Sequence, residues 1–245
     1  MSLGAWWSRG GGLTRVALAA VAAVALTSAA NAWNDADDVA IDRVAHPARP
    51  LPSGALSVAA ARRIAIACAL AGVALSAAAR PVLGAVSVAA VAIIWVYSSQ
   101  LKQRGLPGNV VVAVLASAPF LYGAWAADRP RAGIVLLVLA APLHLAREIA
   151  KDLDDVAGDR GARRTLPEQI GPAMARWGVA LSVLTFLCLL GPRMLRAPHF
   201  ALALVPAILL CGLATARVLR ARSGGPTLFK IAMLFAMAAF AGLRA

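Results

Sequence analysis

Acidic side chains are scarce in this chain: 11 Asp and Glu among 245 residues, and all charged residues together reach only 14%. A soluble domain of that length needs more charge to cover its surface and carries roughly 45–50% apolar residues. Here the apolar fraction is 61% and the mean hydropathy is +0.76, which excludes a soluble fold and leaves an all-α integral membrane protein. Cysteine is nearly absent as well. Cys68, Cys188 and Cys211 fall inside apolar runs with no CxxC or CxxH spacing, so neither a disulfide framework nor a thiolate metal site is expected. No stretch is left over for a soluble domain, a long linker or a low-complexity tail, so residues 1–245 read as one transmembrane domain.

What the chain has in quantity is alanine-rich hydrophobic sequence. A bilayer core of roughly 30 Å takes about 20 apolar residues per helix. Measured that way the chain holds eight spans, about 13–33, 58–79, 81–99, 108–126, 132–150, 172–191, 198–216 and 227–243. Pro81 divides the second from the third, because proline is tolerated in a first helical turn and breaks an interior. Arg9 and Arg15 ahead of an alanine-rich core, with Ala30-Asn31-Ala32 resembling a small-residue cleavage site, also fit a cleaved leader, although seven further spans commit the chain to the membrane regardless.

The net charge of +13 would elsewhere suggest nucleic acid, but basic residues in short loops orient membrane helices, and no nucleic-acid partner is expected. Sixteen of the 24 basic residues fall in the odd-numbered connections, which the positive-inside rule places in the cytoplasm, with both termini outside. Ten of the 11 acids lie on that same side, and only Asp128 lies opposite.

Those acids are clustered. In "NDADDVAID", Asn34, Asp38 and Asp42 stand four apart, with Asn31 a turn earlier. In "HLAREIAKDLDDVAGD", Glu148, Asp152, Asp155 and Asp159 repeat the spacing below His144. Residues three and four apart share a helix face, so each set forms a ladder of carboxylates that repel one another unless a cation intervenes. Helix capping accounts for Asp35 or Asp152 singly but not for two ladders, and solvated loop acids are the plainer alternative. Oxygen donors without cysteine suit a hard cation, Mg²⁺ or Ca²⁺, and Mg²⁺ is commonly held by one or two carboxylates plus substrate phosphates. Two such clusters would grip a diphosphate from both sides. An ion-coupled carrier would place its acids near mid-membrane, whereas these lie at span ends.

The paired motifs at Asn34–Asp42 and Asp152–Asp159, "RPLPSG" at Arg49–Gly54, "RTLP" at Arg164–Pro167 and "YSSQLKQRGLPGN" at Tyr97–Asn109 resemble the UbiA superfamily of intramembrane prenyltransferases along nearly the whole chain. The short step from Asp42 to Arg49 and the wording "REIAKDLDDVAGDR" are most similar to the branch containing digeranylgeranylglyceryl phosphate synthase. Two departures stand out. The superfamily implies nine transmembrane helices, one of them before the helix that ends in the first motif, where this sequence offers "MSLGAWWSRGGG"; and Arg163 stands where the family has glycine.

The resemblance implies Mg²⁺-dependent transfer of a polyprenyl group, geranylgeranyl for this branch, from its diphosphate to a lipid acceptor resembling geranylgeranylglyceryl phosphate. An aromatic quinone precursor or a chlorophyllide-type ring is the alternative acceptor, and a noncatalytic lipid-binding relative the alternative class. By the same carry-over Asn34, Asp38 and Asp42 serve one metal and Asp152, Asp155 and Asp159 the other, with catalysis assigned to Asp38, Asp42, Asp155 and Asp159. Lys102, Arg104 and Arg49 are expected on the diphosphate, and Arg163 and Arg164 on the acceptor. His144 could deprotonate an acceptor or simply pack, and the tryptophans near span ends, Trp33, Trp95, Trp125 and Trp177, are expected to form an interfacial belt.

Overall fold

Backbone amides in a bilayer must be satisfied within their own segment, and the apolar runs accordingly fold as helices. A computed structural model of the chain describes residues 12–102, 104–155 and 165–242. The long helices are α1 (Leu13–Asp37), α3 (Val58–Ala79), α4 (Pro81–Val96), α5 (Leu106–Ala126), α6 (Pro130–Asp155), α8 (Pro172–Arg196), α9 (Pro198–Leu219) and α10 (Gly225–Gly242). Two short helices, α2 (Val39–Ala45) and α7 (Leu166–Ile170), lie in the connections, and α4 continues as a π-helical turn over Tyr97–Leu101. Seven of the long helices have the length and hydropathy of a membrane span, and Gly225–Ala241 is a shorter apolar helix. The protein is a multi-pass membrane protein.

The helices outrun the apolar stretches that announce them. α1 continues to Asp37 rather than stopping near residue 33, and α6 begins at Pro130 and ends at Asp155 rather than covering 132–150. Hydropathy reports where lipid contact ends; backbone hydrogen bonding continues past it. Pro119, Pro142, Pro192 and Pro206 also sit inside helices, which neighbouring helices in a membrane bundle permit.

Ion pairs show which helix ends meet. Asp128, at the α5–α6 turn, receives Arg15 from the start of α1 (2.5 Å) and Arg80 from the α3–α4 junction. At the other end Lys102 reaches Asp38, Asn109 reaches Asp152, and the Gly224 amide donates to Asp154 (3.0 Å). Both acidic segments therefore lie at one end of the bundle, and Asp128 lies at the opposite end.

Two lobes pack differently. α1, α3 and α4 pack together, while α6, α8, α9 and α10 form a second group, with α5 lying along α6 and also touching α1 and α4. The first lobe packs through small residues, among them Ala19, Ala22, Ala61 and Ala65, all nearly inaccessible. The second has a core of larger side chains, where Phe200 and Phe240 meet edge to face at 4.9 Å. Gly133 sets the α5–α6 crossing: a Cβ there would stand 2.7 Å from the Leu121 Cα. Leu70, Leu181, Leu202, Leu209 and Leu234 remain exposed, as a lipid-facing surface requires.

Candidate functional site

The first ladder keeps its register through a helix break. α1 ends at Asp37 and α2 starts at Val39, yet the Asp38 amide donates to Asn34 O (2.9 Å), that of Asp42 to Asp38 O (2.9 Å) and that of His46 to Asp42 O (2.7 Å). Asn34, Asp38 and Asp42 thus stay on one winding face, while Asp35 is exposed. Asp37 is drawn aside to Arg62 of α3 at 3.5 Å.

Asp38, Asp42 and Asp152 each have a donor beside them, as has Asn34. The "RPLPSG" turn is held by Ser53 N to Arg49 O (3.0 Å) and Leu56 N to Pro50 O (2.9 Å), and Leu51 is buried with Ala36 and Ala61. That anchoring presents Arg49, whose Nη1 donates to Oδ2 of the buried Asp42 at 2.7 Å. The π turn, one residue wider than an α turn, brings Ser98 Oγ to Asn34 Oδ1 (2.7 Å) and Lys102 Nζ to Asp38 Oδ2 (2.5 Å). A few residues on, in the first turn of α5, Asn109 Nδ2 donates to Asp152 Oδ2 at 2.9 Å. One connection, 97–109, therefore touches both acidic segments.

That connection is tight. A Cβ on Gly108 would lie 2.5 Å from the backbone oxygen of Leu101, where no side chain can yield. Gly108→Ala is expected to cost about 1–3 kcal/mol, the range for overpacking, and to lower turnover by displacing Asn109. The Tm in detergent and the initial rate check this, with Gly212→Ala as control because nothing lies within 4 Å of a Cβ there.

Other expected residues fall as follows. Asp155 is exposed at the end of α6 and Arg104 is exposed on the connection, while Glu148, one turn before Asp152 on the continuous α6, pairs with Arg147. Asp159, Arg163 and Arg164 lie outside the described residues. Ser98 and Asn109 had no role assigned from sequence; the one available signal was a polar side chain at the edge of an apolar span, inside the "YSSQLKQRGLPGN" stretch. Trp95 and Trp177 are exposed as a belt requires, but Trp125 turns inward and lines a cavity.

Among the described residues, no three His, Cys, Asp or Glu side chains form a group able to hold a metal ion. The donor chemistry nevertheless fits a hard cation. Asn34, Asp38, Asp42 and Asp152 offer oxygen at one end of the bundle, and Lys102 and Arg49 supply the positive charge beside Asp38 and Asp42.

Apolar cavities lie between the helices. One, of about 420 Å³, lies between α1, α4 and α5 with Asn31 and Asn34 at its mouth and Ala30, Ala90 and Leu115 among its walls. The second, of about 390 Å³, lies between α5, α6, α8 and α10, and its lining is apolar apart from His144 and Lys230.

The UbiA prenyltransferase family profile matches residues 1–239. A digeranylgeranylglyceryl phosphate synthase of Methanopyrus kandleri is 37% identical over 174 residues, covering 69% of this chain and 64% of the relative, so this chain spans a little under two thirds of its length. One from Halobacterium salinarum is 36% identical over 225 residues, covering 87% of this chain and 79% of the relative. Among solved structures, a UbiA homologue from Archaeoglobus fulgidus bound to GPP and Mg²⁺ superimposes with a TM-score of 0.76 at 19% identity, over 98% of this chain and 92% of the other, which establishes the shared fold.

Proposed function

Since this chain belongs to the UbiA prenyltransferase family, we propose that it transfers a polyprenyl group, geranylgeranyl in length, from its diphosphate to a lipid acceptor that carries a glycerol phosphate. The observation that carries this reading is the 97–109 connection, which places Lys102 on Asp38 and Asn109 on Asp152 and so ties two acidic helix ends into one site.

Asn34, Asp38 and Asp42 on one side, and Asp152 and Asp155 with Asp159 on the other, are the residues that would hold Mg²⁺. The chemistry Mg²⁺ would supply when bound there is neutralisation of the departing diphosphate, which would ease cleavage of the allylic C1–O bond. Lys102 and Arg49 are held beside those acids and are poised to turn their N–H groups from carboxylate to phosphate oxygen. The cavity between α1, α4 and α5 takes the prenyl chain; its apolar walls exclude water, which would otherwise capture the developing cation. The second cavity takes the acceptor's hydrocarbon, with Lys230 beside it as counter-charge for a phosphate. Arg163 and Arg164 follow the second motif and add further positive charge for a phosphorylated acceptor. The acidic end faces the cytoplasm by the excess of basic residues there.

Purified protein given labelled geranylgeranyl diphosphate, Mg²⁺ and a panel of acceptors tests the reading. Geranylgeranylglyceryl phosphate is expected to be prenylated faster than any neutral aromatic acceptor. The reverse order would move the assignment to quinone precursors.

A further inference from the structure

The cavity between α1, α4 and α5 runs from Asn31 and Asn34 to Tyr122 and Trp125, and the way that far end is built carries an inference about substrate length. Tyr122 and Ser87 line that end, beside Ala23, Val86 and Trp125. Ser87 Oγ donates to Ser76 Oγ (2.8 Å), and Ser76 Oγ donates its single proton to Gly72 O (2.6 Å). The 2.5 Å contact between Ser76 Oγ and the Tyr122 hydroxyl is therefore donated by Tyr122. All three hydroxyl protons are consumed inside the net, so none is left to hold water in the cavity. Ser76 and Ser87 are inaccessible and Tyr122 nearly so.

This end is also mechanically fixed. The net joins α3, α4 and α5, because Ser76, Ser87 and Tyr122 lie one on each. Directly behind it Ala19, Leu83 and Ala126 pack with Tyr122 in a dry cluster. Beyond the cluster Arg80 Nη1 donates to Trp125 O (3.0 Å) and pairs with Asp128, which also holds Arg15 of α1. Four helices are thus clamped around the far end, which makes it a stop and not a gate.

The distance from the reacting end to this stop can be measured along α1. From Asp38, where Lys102 sits, back to Ala23 is fifteen residues, or about 22 Å at the helical rise of 1.5 Å per residue. An extended isoprene unit contributes four chain carbons joined by bonds of about 1.5 Å, or about 5 Å along the chain. Four units span about 20 Å and fit; a fifth would meet the Tyr122 ring. We propose that Tyr122, held by Ser76 and Ser87, is the specificity-determining stop that limits the donor to four isoprene units. This deepens the prenyl-transfer reading and rests on it.

Binding, not turnover, separates the two. S-thiolodiphosphate analogues with two to five isoprene units are titrated with Mg²⁺ into the full chain in nanodiscs. Affinity for the wild type is expected to rise with each unit up to the fourth and fall at least tenfold at the fifth. Tyr122→Ala is expected to remove that fall. Ala90→Leu, on α4 one turn after Ser87, leaves the hydroxyl net intact, narrows the cavity about one turn nearer the mouth, and is expected to move the fall to the fourth unit. An affinity that keeps rising to five units in the wild type, or Ala90→Leu with the wild-type profile, overturns the stop. Failure of every analogue to bind the wild type overturns the donor reading itself.

Discussion

Asp38→Asn is expected to reduce prenyl transfer by at least about 10²–10³-fold, the loss typical of removing one group that stabilises transition-state charge, while leaving the bundle folded. The substitution keeps the shape of the side chain and the i to i+4 backbone bonds that run from Asn34 through Asp38 to Asp42. It removes the full negative charge that Lys102 contacts at the mouth of the α1–α4–α5 cavity. Stability should change little, because ion pairs with partial solvent access contribute about 0–1 kcal/mol, and this pair is 14% and 23% exposed on its two sides. Asp128→Asn is the matching control. It sits at the opposite end, bound to Arg15 and Arg80 in more exposed pairs, so its loss should lower the Tm no more than a little and leave the rate near that of the wild type. Turnover and Tm measured on both variants check the pair. Near-normal turnover in Asp38→Asn would remove this carboxylate from the chemistry.

The division of labour between those two ends was legible before any coordinates. Ten of 11 acids fall at alternate span ends, and a helical bundle with short connections has to bring alternate ends together. The ladders were legible for the same reason, since a spacing of four survives even the break at Asp38. Lys102 and Arg49 were placed by charge and motif, and the structure puts each on a different acid of the first cluster.

What sequence could not supply is the joint between the clusters. Asn109 is an uncharged residue at the start of an apolar helix, and its contact with Asp152 depends on how tightly 97–109 turns, which Gly108 and the π turn decide. The far end of the cavity was hidden too. Ser76, Ser87 and Tyr122 are 46 positions apart at the extremes and look like ordinary polar interruptions of three separate spans. Only packing shows that they share a proton network.

Lys102→Met carries the second large effect, and its value is that metal and diphosphate should respond in opposite directions. The Nζ of Lys102 lies 2.5 Å from Asp38 Oδ2, so ammonium and metal compete for the same carboxylate. Removing the ammonium relieves that competition, and the Mg²⁺ concentration for half-maximal activity is expected to fall. The same ammonium is poised for phosphate oxygen, and its loss should cost about 1.5–3 kcal/mol, the range for hydrogen bonds to charged groups, which raises the KM for the prenyl diphosphate roughly 10- to 150-fold. Lys102→Arg keeps the charge but not the compact point geometry, and should recover part of the diphosphate affinity. If Lys102 served only to hold Asp38 in place, its removal would weaken metal and diphosphate together, because both would meet a misplaced carboxylate. Steady-state rates with Mg²⁺ and diphosphate varied in turn distinguish the two cases: opposite shifts support direct phosphate contact, and parallel losses reduce Lys102 to a structural brace.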